Sequence, residues 1–229
     1  MIDGKELTFN VSGLLWHQSL VMYDRPTGSY WSHLLGESIS GELKGTRLKH
    51  IESMMTDWST WRQLHPKGSV MVDRRTAQGY HTDFYARLET FVLGIADKDK
   101  SKSWSFDQLA QTPVGNDTWN GEPIVVVFDQ ASVTARMFKR RLGDQVLTFE
   151  LQDGQLIDNE TGSRWHGVAG RAIGGKLKGK SLVVVPEAIV SMRDAWEKFH
   201  PSNGDRSHLV RPDIRVDEDG KLEETKSWR

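Results

Sequence analysis

The chain contains no cysteine. That removes disulfides, thiolate nucleophiles and thiolate metal sites together, and it fits any compartment. No apolar run approaches the roughly 20 residues of a transmembrane helix. The opening MIDGKEL lacks the basic-then-apolar order of a secretory signal. The chain therefore reads as soluble, with no membrane partner and no address that fixes its location. Neither sign of charge is in excess. Lys and Arg number 30 against 31 Asp and Glu, a net charge of −1, so no global field would hold nucleic acid. Also missing are a G-x-S-x-G elbow, H-E-x-x-H, a P-loop and G-x-G-x-x-G. These absences argue against a standard serine hydrolase, a zincin, a nucleotide-binding enzyme and a Rossmann dehydrogenase, and no organic cofactor is expected.

What is present is an internal repeat. With 229 residues the chain can form one large β domain or two small ones. The segment DRPTGSYWSHLLGESISGELKGTRL from Asp24 aligns without a gap on DNETGSRWHGVAGRAIGGKLKGKSL from Asp158. Upstream, ELTF at Glu6 to Phe9 matches VLTF at Val146 to Phe149, and downstream DWSTWRQLHP matches RDAWEKFHP, each ending in His-Pro. Between ELTF and the shared Asp the first repeat carries extra residues, whereas the second turns tightly through Asp153-Gly154, a strong hairpin signal.

Each repeat reads as strand, hairpin, strand, a TGS turn, a strand around Trp, short glycine-punctuated strands and an amphipathic helix. The helices are expected near Thr56–Leu64 and Ala188–Phe199, stopped by proline. Further strands are expected at FVLGI and PIVVVFD, the latter after an Asn120-Gly121 turn, with a short helix near Phe106–Gln111. The fold class is mainly β, a β-rich α+β arrangement of two related β-units, each ending in an amphipathic helix. Residues 1–66 form a partial first repeat, 67–90 a connection, 91–201 a complete second repeat and 202–229 a polar tail. That tail is too polar to offset its ordering entropy by burial, so a mobile segment is the expectation. A half unit leaves strand edges to cover, so self-association into a homo-oligomer is expected too.

The stretches SGLL, VMYDRPTGSYWSHLLGE, G-x-L-x-G-T-R-L and NDTWNGEPIVVVFD resemble the domain-of-unknown-function family numbered 3179 over about residues 3 to 201. The resemblance implies two consecutive related units, of which the first begins midway here. The Asn-Trp-His-Glu and Tyr-Cys-Pro segments of relatives are absent, so no chemistry of theirs carries over. The resemblance brings no established activity.

Positions shared by both repeats read as architecture: glycine for turns, Asp and Ser for turn hydrogen bonds, Trp for packing. Positions that differ are the better functional candidates. The first repeat has Arg25, His33 and Glu37 where the second has Asn159, Gly167 and Arg171, and its longer hairpin adds Trp16 and His17. An imidazole beside a carboxylate can move protons near neutral pH or bind a divalent ion. Partly exposed strand histidines are the plainer reading of the same residues. His81, Asp83, Tyr85 and Glu89 in GYHTDFYARLE form a second polar-aromatic cluster. ADKDKSKSWSFDQ has the alternating oxygens of a calcium loop from Asp97, but Lys102 and Gln108 stand where Gly and a bidentate Glu belong, so a strand-to-strand turn is expected. VDEDGKLEE in the tail is equally weak. A Ca2+ or other divalent site built from Asp24, Asp158 and Glu160 stays open.

Two functions follow. One is metal-assisted hydrolysis of a small ester or lactone, with His33, His17, Glu37 and Arg25 handling protons and charge. The other is a non-catalytic β-rich binding or scaffold module.

Overall fold

The computed structural model describes residues 6–71, 85–97 and 100–201, together with residues 2 and 4 and two short backbone pieces at 215–216 and 222–223. The chain divides into two compact units, residues 1–51 with 194–229, and residues 52–193. Both are mainly β. No helix among the described residues is long and apolar enough to cross a membrane.

The first unit is a four-stranded antiparallel meander, β1 (Phe9–Trp16), β2 (Ser19–Asp24), β3 (Tyr30–Ser32) and β4 (Glu37–Ser40), in that order. Its first hairpin is longer than its counterpart, and turns through His17 and Gln18 with φ of 47° and 64°. Positive φ at both central residues gives the turn whose twist suits a hairpin.

The second unit opens with Glu52 and carries helix α1 (Trp58–Leu64), followed after a 3-10 turn at Leu88–Thr90 by the hairpin β5 (Phe91–Asp97) and β6 (Lys100–Ser105). Helix α2 (Phe106–Gln111) then leads into β7 (Val114–Trp119), β8 (Glu122–Asp129) and β9 (Thr134–Lys139), where Asn120-Gly121 makes the expected turn. After the short pair β10 (Arg141–Leu142) and β11 (Gln145–Val146) come β12 (Phe149–Gln152), β13 (Gln155–Asp158), β14 (Arg164–His166) and β15 (Arg171–Gly174), a second four-stranded meander. Strand β16 (Val183–Val184) joins β9, and β17 (Ile189–Met192) pairs with β5. Helix α3 (Arg193–Phe199) passes from the second unit into the first.

The strands β8 and β9 hold two cores apart. Ile124, Val126 and Phe128 face Phe91, Phe106 and Met137 on one side. Val125, Val127 and Phe138 face Phe149, Leu156, Trp165 and Leu182 on the other. A run apolar on both sides is what PIVVVF encodes, because alternation sends successive side chains to opposite faces.

Many backbone bonds recur at matched positions of the two repeats. The N–H of Gly28 reaches Asp24 O at 2.9 Å, as Gly162 reaches Asp158 O at 2.9 Å. Leu48 N–H bonds Gly36 O and Leu182 N–H bonds Gly170 O, both at 2.8 Å. A Cβ on Gly41 would stand 2.8 Å from Ser29 Cα, and one on Gly175 would stand 2.7 Å from Ser163 Cα, so these two shared glycines are needed for a close backbone approach.

The helix expected at 188–199 is shorter than its pattern. Residues Ile189–Met192 extend instead as β17 against β5, because Ile and Val there gain a strand ladder that a free helix turn lacks. In the first repeat, Asp57 rather than Thr56 starts the helix, its carboxylate accepting the Thr60 N–H at 2.7 Å. Of the tail, backbone is described only for a small antiparallel ladder of β18 (Arg215–Val216) and β19 (Leu222–Glu223). The expectation of a mobile tail otherwise lies outside the described residues, as do His81 and Asp83.

Candidate functional site

In each repeat the aspartate of the D-x-x-T-G-S-x-W motif closes a buried network. Asp24 and Asp158 are fully buried. Asp24 Oδ1 accepts the Thr27 N–H at 2.8 Å, and Oδ2 accepts the Trp31 indole N–H at 2.8 Å. Asp158 does the same with Thr161 N–H at 2.7 Å and the Trp165 indole at 2.8 Å. The threonine hydroxyl bridges both carboxylate oxygens in each case. These bonds satisfy a buried charge and a buried indole together. Glu160 accepts the Thr148 N–H at 2.8 Å and so ties β12 to the turn. Asp24 belongs to the first unit, and Asp158 and Glu160 to the second. Among the described residues no group of three or more His, Asp or Glu is arranged to hold a metal ion.

The residues peculiar to the first repeat lie around one sheet. Strand register places Val21, Ser32 and Glu37 in one row and Met22, Trp31 and Ser38 in the next, on opposite faces. Glu37 is buried and its Oε2 accepts Arg47 Nε–H at 3.0 Å. His33 is exposed in the turn after β3, its N–H bonded to Leu20 O at 3.1 Å. Position 33 corresponds to Gly167, where a Cβ would meet Val127 at 2.9 Å. Arg25 lies at the far end of β2, its N–H bonded to Thr8 O at 2.9 Å and its Nη2 to Asn10 Oδ1 at 3.2 Å. His17 is at the hairpin tip, its ring 5.7 Å from Phe199 and at 88° to it. Trp16 beside it meets Phe199 edge-on at 4.8 Å. The longer hairpin thus receives helix α3. The turn between β3 and β4 holds an exposed His33 and leads to a buried Glu37, with Arg25 at the opposite end of the β1–β2 ladder from His17.

Near this row the Tyr30 phenol is pushed up from its ordinary range by burial, and further by the neighbouring Tyr23, whose ring centre is 6.3 Å away. In the second unit Tyr85 stacks on Phe91 at 6.1 Å, and Asp97 pairs with Lys100 at the end of the β5–β6 hairpin, as the strand-to-strand reading of that segment expects.

The matched repeats differ most in what covers their sheets. Phe149, Leu156 and Leu182 are buried under β8 and β9, with the Phe138 ring lying over Gly170. Their counterparts Phe9, Met22 and Leu48 are only half-buried, and a Cβ on Gly36 would find no atom nearer than His50 Nε2 at 3.9 Å. Gly167 is therefore glycine because Val127 fills its place, and His33 stands where no such side chain presses on the backbone.

One charged residue escaped the sequence reading. Arg136 in β9 is 4% exposed, bonds Ser53 O at 3.1 Å and pairs with Glu52. Its guanidinium lies 5.5 Å from the Phe138 ring centre. The signal was available, since alternation puts Arg136 on the same face of β9 as Phe138, beside the apolar Ala135 and Met137.

A family model described as "Protein of unknown function (DUF3179)" matches residues 1–90 and 75–203. No curated protein and no solved structure matches the chain. The two matches together take in nearly all of the described sequence and both repeats, and the chain belongs to the DUF3179 family.

Proposed function

We propose that this chain is a non-catalytic β-rich binding or scaffold module, and that the first unit presents its working surface. The observation that carries the reading is the contrast between the repeats. The carboxylates that a hydrolytic site would draw on, Asp24, Glu37, Asp158 and Glu160, each already hold a neighbour within their own unit. The face of β1–β4 that bears Phe9, Met22 and Leu48 instead keeps apolar area open that the second repeat buries. Apolar surface left accessible beside a rigid sheet is what a binding module offers.

The competing reading is a hydrolase of small esters or lactones in which Ca2+ polarises the carbonyl and His33 with Glu37 moves protons. Turnover of an ester and lactone panel, with added Ca2+ and with chelator, separates the two. No turnover above the uncatalysed rate is expected. Chelator-sensitive hydrolysis that His33→Ala and Glu37→Ala abolish would overturn the module reading.

A further inference from the structure

The two repeats share a backbone but not a charge. Over the aligned stretches 27–48 and 161–182, the first holds Glu37, Glu42, Lys44 and Arg47, two acids against two bases. The second holds Arg164, Arg171, Lys176, Lys178 and Lys180 and no acid at all. The turn that carries the lysines is built alike in both. Gly179 N–H bonds Ala172 O and Ala172 N–H bonds Lys180 O, each at 2.9 Å, as Gly45 N–H bonds Ser38 O at 2.8 Å and Ser38 N–H bonds Thr46 O at 2.9 Å. Glu42 and Thr46 stand where Lys176 and Lys180 stand, so the turn does not require the lysines.

All five cations are exposed, and no carboxylate among the described residues pairs with any of them. Trp165 and Ala172 are buried, so alternation sends their neighbours Arg164, Arg171 and Ile173 to the outer side of β14–β15. Ile173 is 46% exposed there, and the Arg164 guanidinium lies against Gly174 at the foot of the lysine turn. We infer that this basic end of the β14–β15 sheet docks on an anionic lipid surface. An exposed aliphatic side chain set among cations suits the bilayer interface, where apolar burial and attraction to acidic headgroups act together. A nucleic acid strand would call for exposed rings to stack on, and Trp165, the only Phe, Trp or Tyr of the stretch, is 1% exposed. No helix among the described residues is long and apolar enough to cross a membrane, and a surface contact needs none. The inference goes beyond the module reading, because it rests on the second unit alone.

Co-sedimentation of the full chain with lipid vesicles tests it. The chain should bind vesicles of phosphatidylcholine and phosphatidylserine in equal parts, leave vesicles of phosphatidylcholine alone, and come off in about 1 M salt, where the screening length falls to about 3 Å. Lys176→Glu with Lys180→Thr should weaken binding by at least about tenfold. These are the residues that the first repeat carries in the same turn, so the fold is kept. Lys44→Glu with Lys49→Thr makes the same change of charge at exposed positions of the first unit and should leave binding unchanged. Failure to bind the phosphatidylserine vesicles overturns the inference, and so does equal binding to phosphatidylcholine alone or equal weakening by the two double substitutions. Tighter binding of a single-stranded oligonucleotide than of the vesicles, at equal phosphate concentration, overturns it as well. None of these results depends on turnover or on the open face of the first unit, so failure here removes the lipid contact and leaves the module reading to its own assay.

Discussion

Adding one methyl group at two matched positions separates a covered sheet from an open one. Gly36 and Gly170 both sit at positive φ, 59° and 62°. Alanine at either site strains the backbone in the left-handed region, at about 1–2 kcal/mol. At Gly170 the new Cβ would also lie 2.4 Å from Phe138 Cε1 and 2.8 Å from Cδ1, against a ring that is fully buried in the core shared with Phe149 and Trp165. Overpacking of that kind adds about 1–3 kcal/mol. At Gly36 the nearest atom is 3.9 Å away, ordinary contact distance. Gly170→Ala should therefore cost about 2–5 kcal/mol and Gly36→Ala about 1–2 kcal/mol, a gap of about 1–3 kcal/mol. Amide hydrogen exchange read separately over β2–β3 and β13–β14 measures each loss in its own unit, where each 1.4 kcal/mol is a tenfold faster exchange. Equal costs at the two glycines would mean that Gly36 is covered as Gly170 is, and the contrast between the repeats would fall.

Four further outcomes are expected. Asp158→Ala strands the Trp165 indole and the Thr161 N–H, bonds to a charged acceptor worth about 1.5–3 kcal/mol each, so a loss of about 3–5 kcal/mol should appear in urea unfolding. Phe199→Ala should cost about 3–5 kcal/mol because the ring is fully buried against Trp16, while Leu64→Ala in α1, a helix that buries no residue, should cost clearly less in the same melts. In Asp117 burial pulls the carboxyl upward, but the Lys102 ammonium and the Thr118 N–H outweigh it and hold it below its ordinary value. Its stabilising contribution is then present above about pH 4 and lost as pH falls through the folded value, so Asp117→Asn should flatten the acid side of the stability curve. Replacing the exposed Gln18 by Gly should stabilise the chain by about 0.5–1 kcal/mol in the same melts, since Gln18 holds positive φ at a hairpin tip.

Much of the fold was written in the repeat. Shared residues from Asp24 to Leu48 and Asp158 to Leu182 form the same turns, ladders and Asp–Trp networks, because each is a local bond within a short span of chain. The boundary of the second helix was not legible. Ile189–Met192 fits a helix by local pattern, and only its long-range partner β5 makes it a strand. Nor was the division of the chain, for each repeat's last segment belongs to the compact unit built mainly from the other repeat.

The candidate site was legible only as a set of differences. Reading His33 against Gly167 as a gain of chemistry misses that Gly167 is fixed by Val127, a contact from far along the sequence that the first repeat does not have. Glu37 against Arg171 likewise reflects which face is covered, since Glu37 is buried and Arg171 exposed. Differences between repeats report packing as readily as function, and a partner strand is needed to tell them apart.

Side-chain footprinting of Phe9 and Phe149 tests the central contrast most directly. The two rings make the same edge-on contact with their tryptophans, at 5.4 Å and 5.5 Å, yet one face is open and the other packed. Phe9 should label readily while Phe149 stays protected. Equal labelling of the two rings would contradict the account.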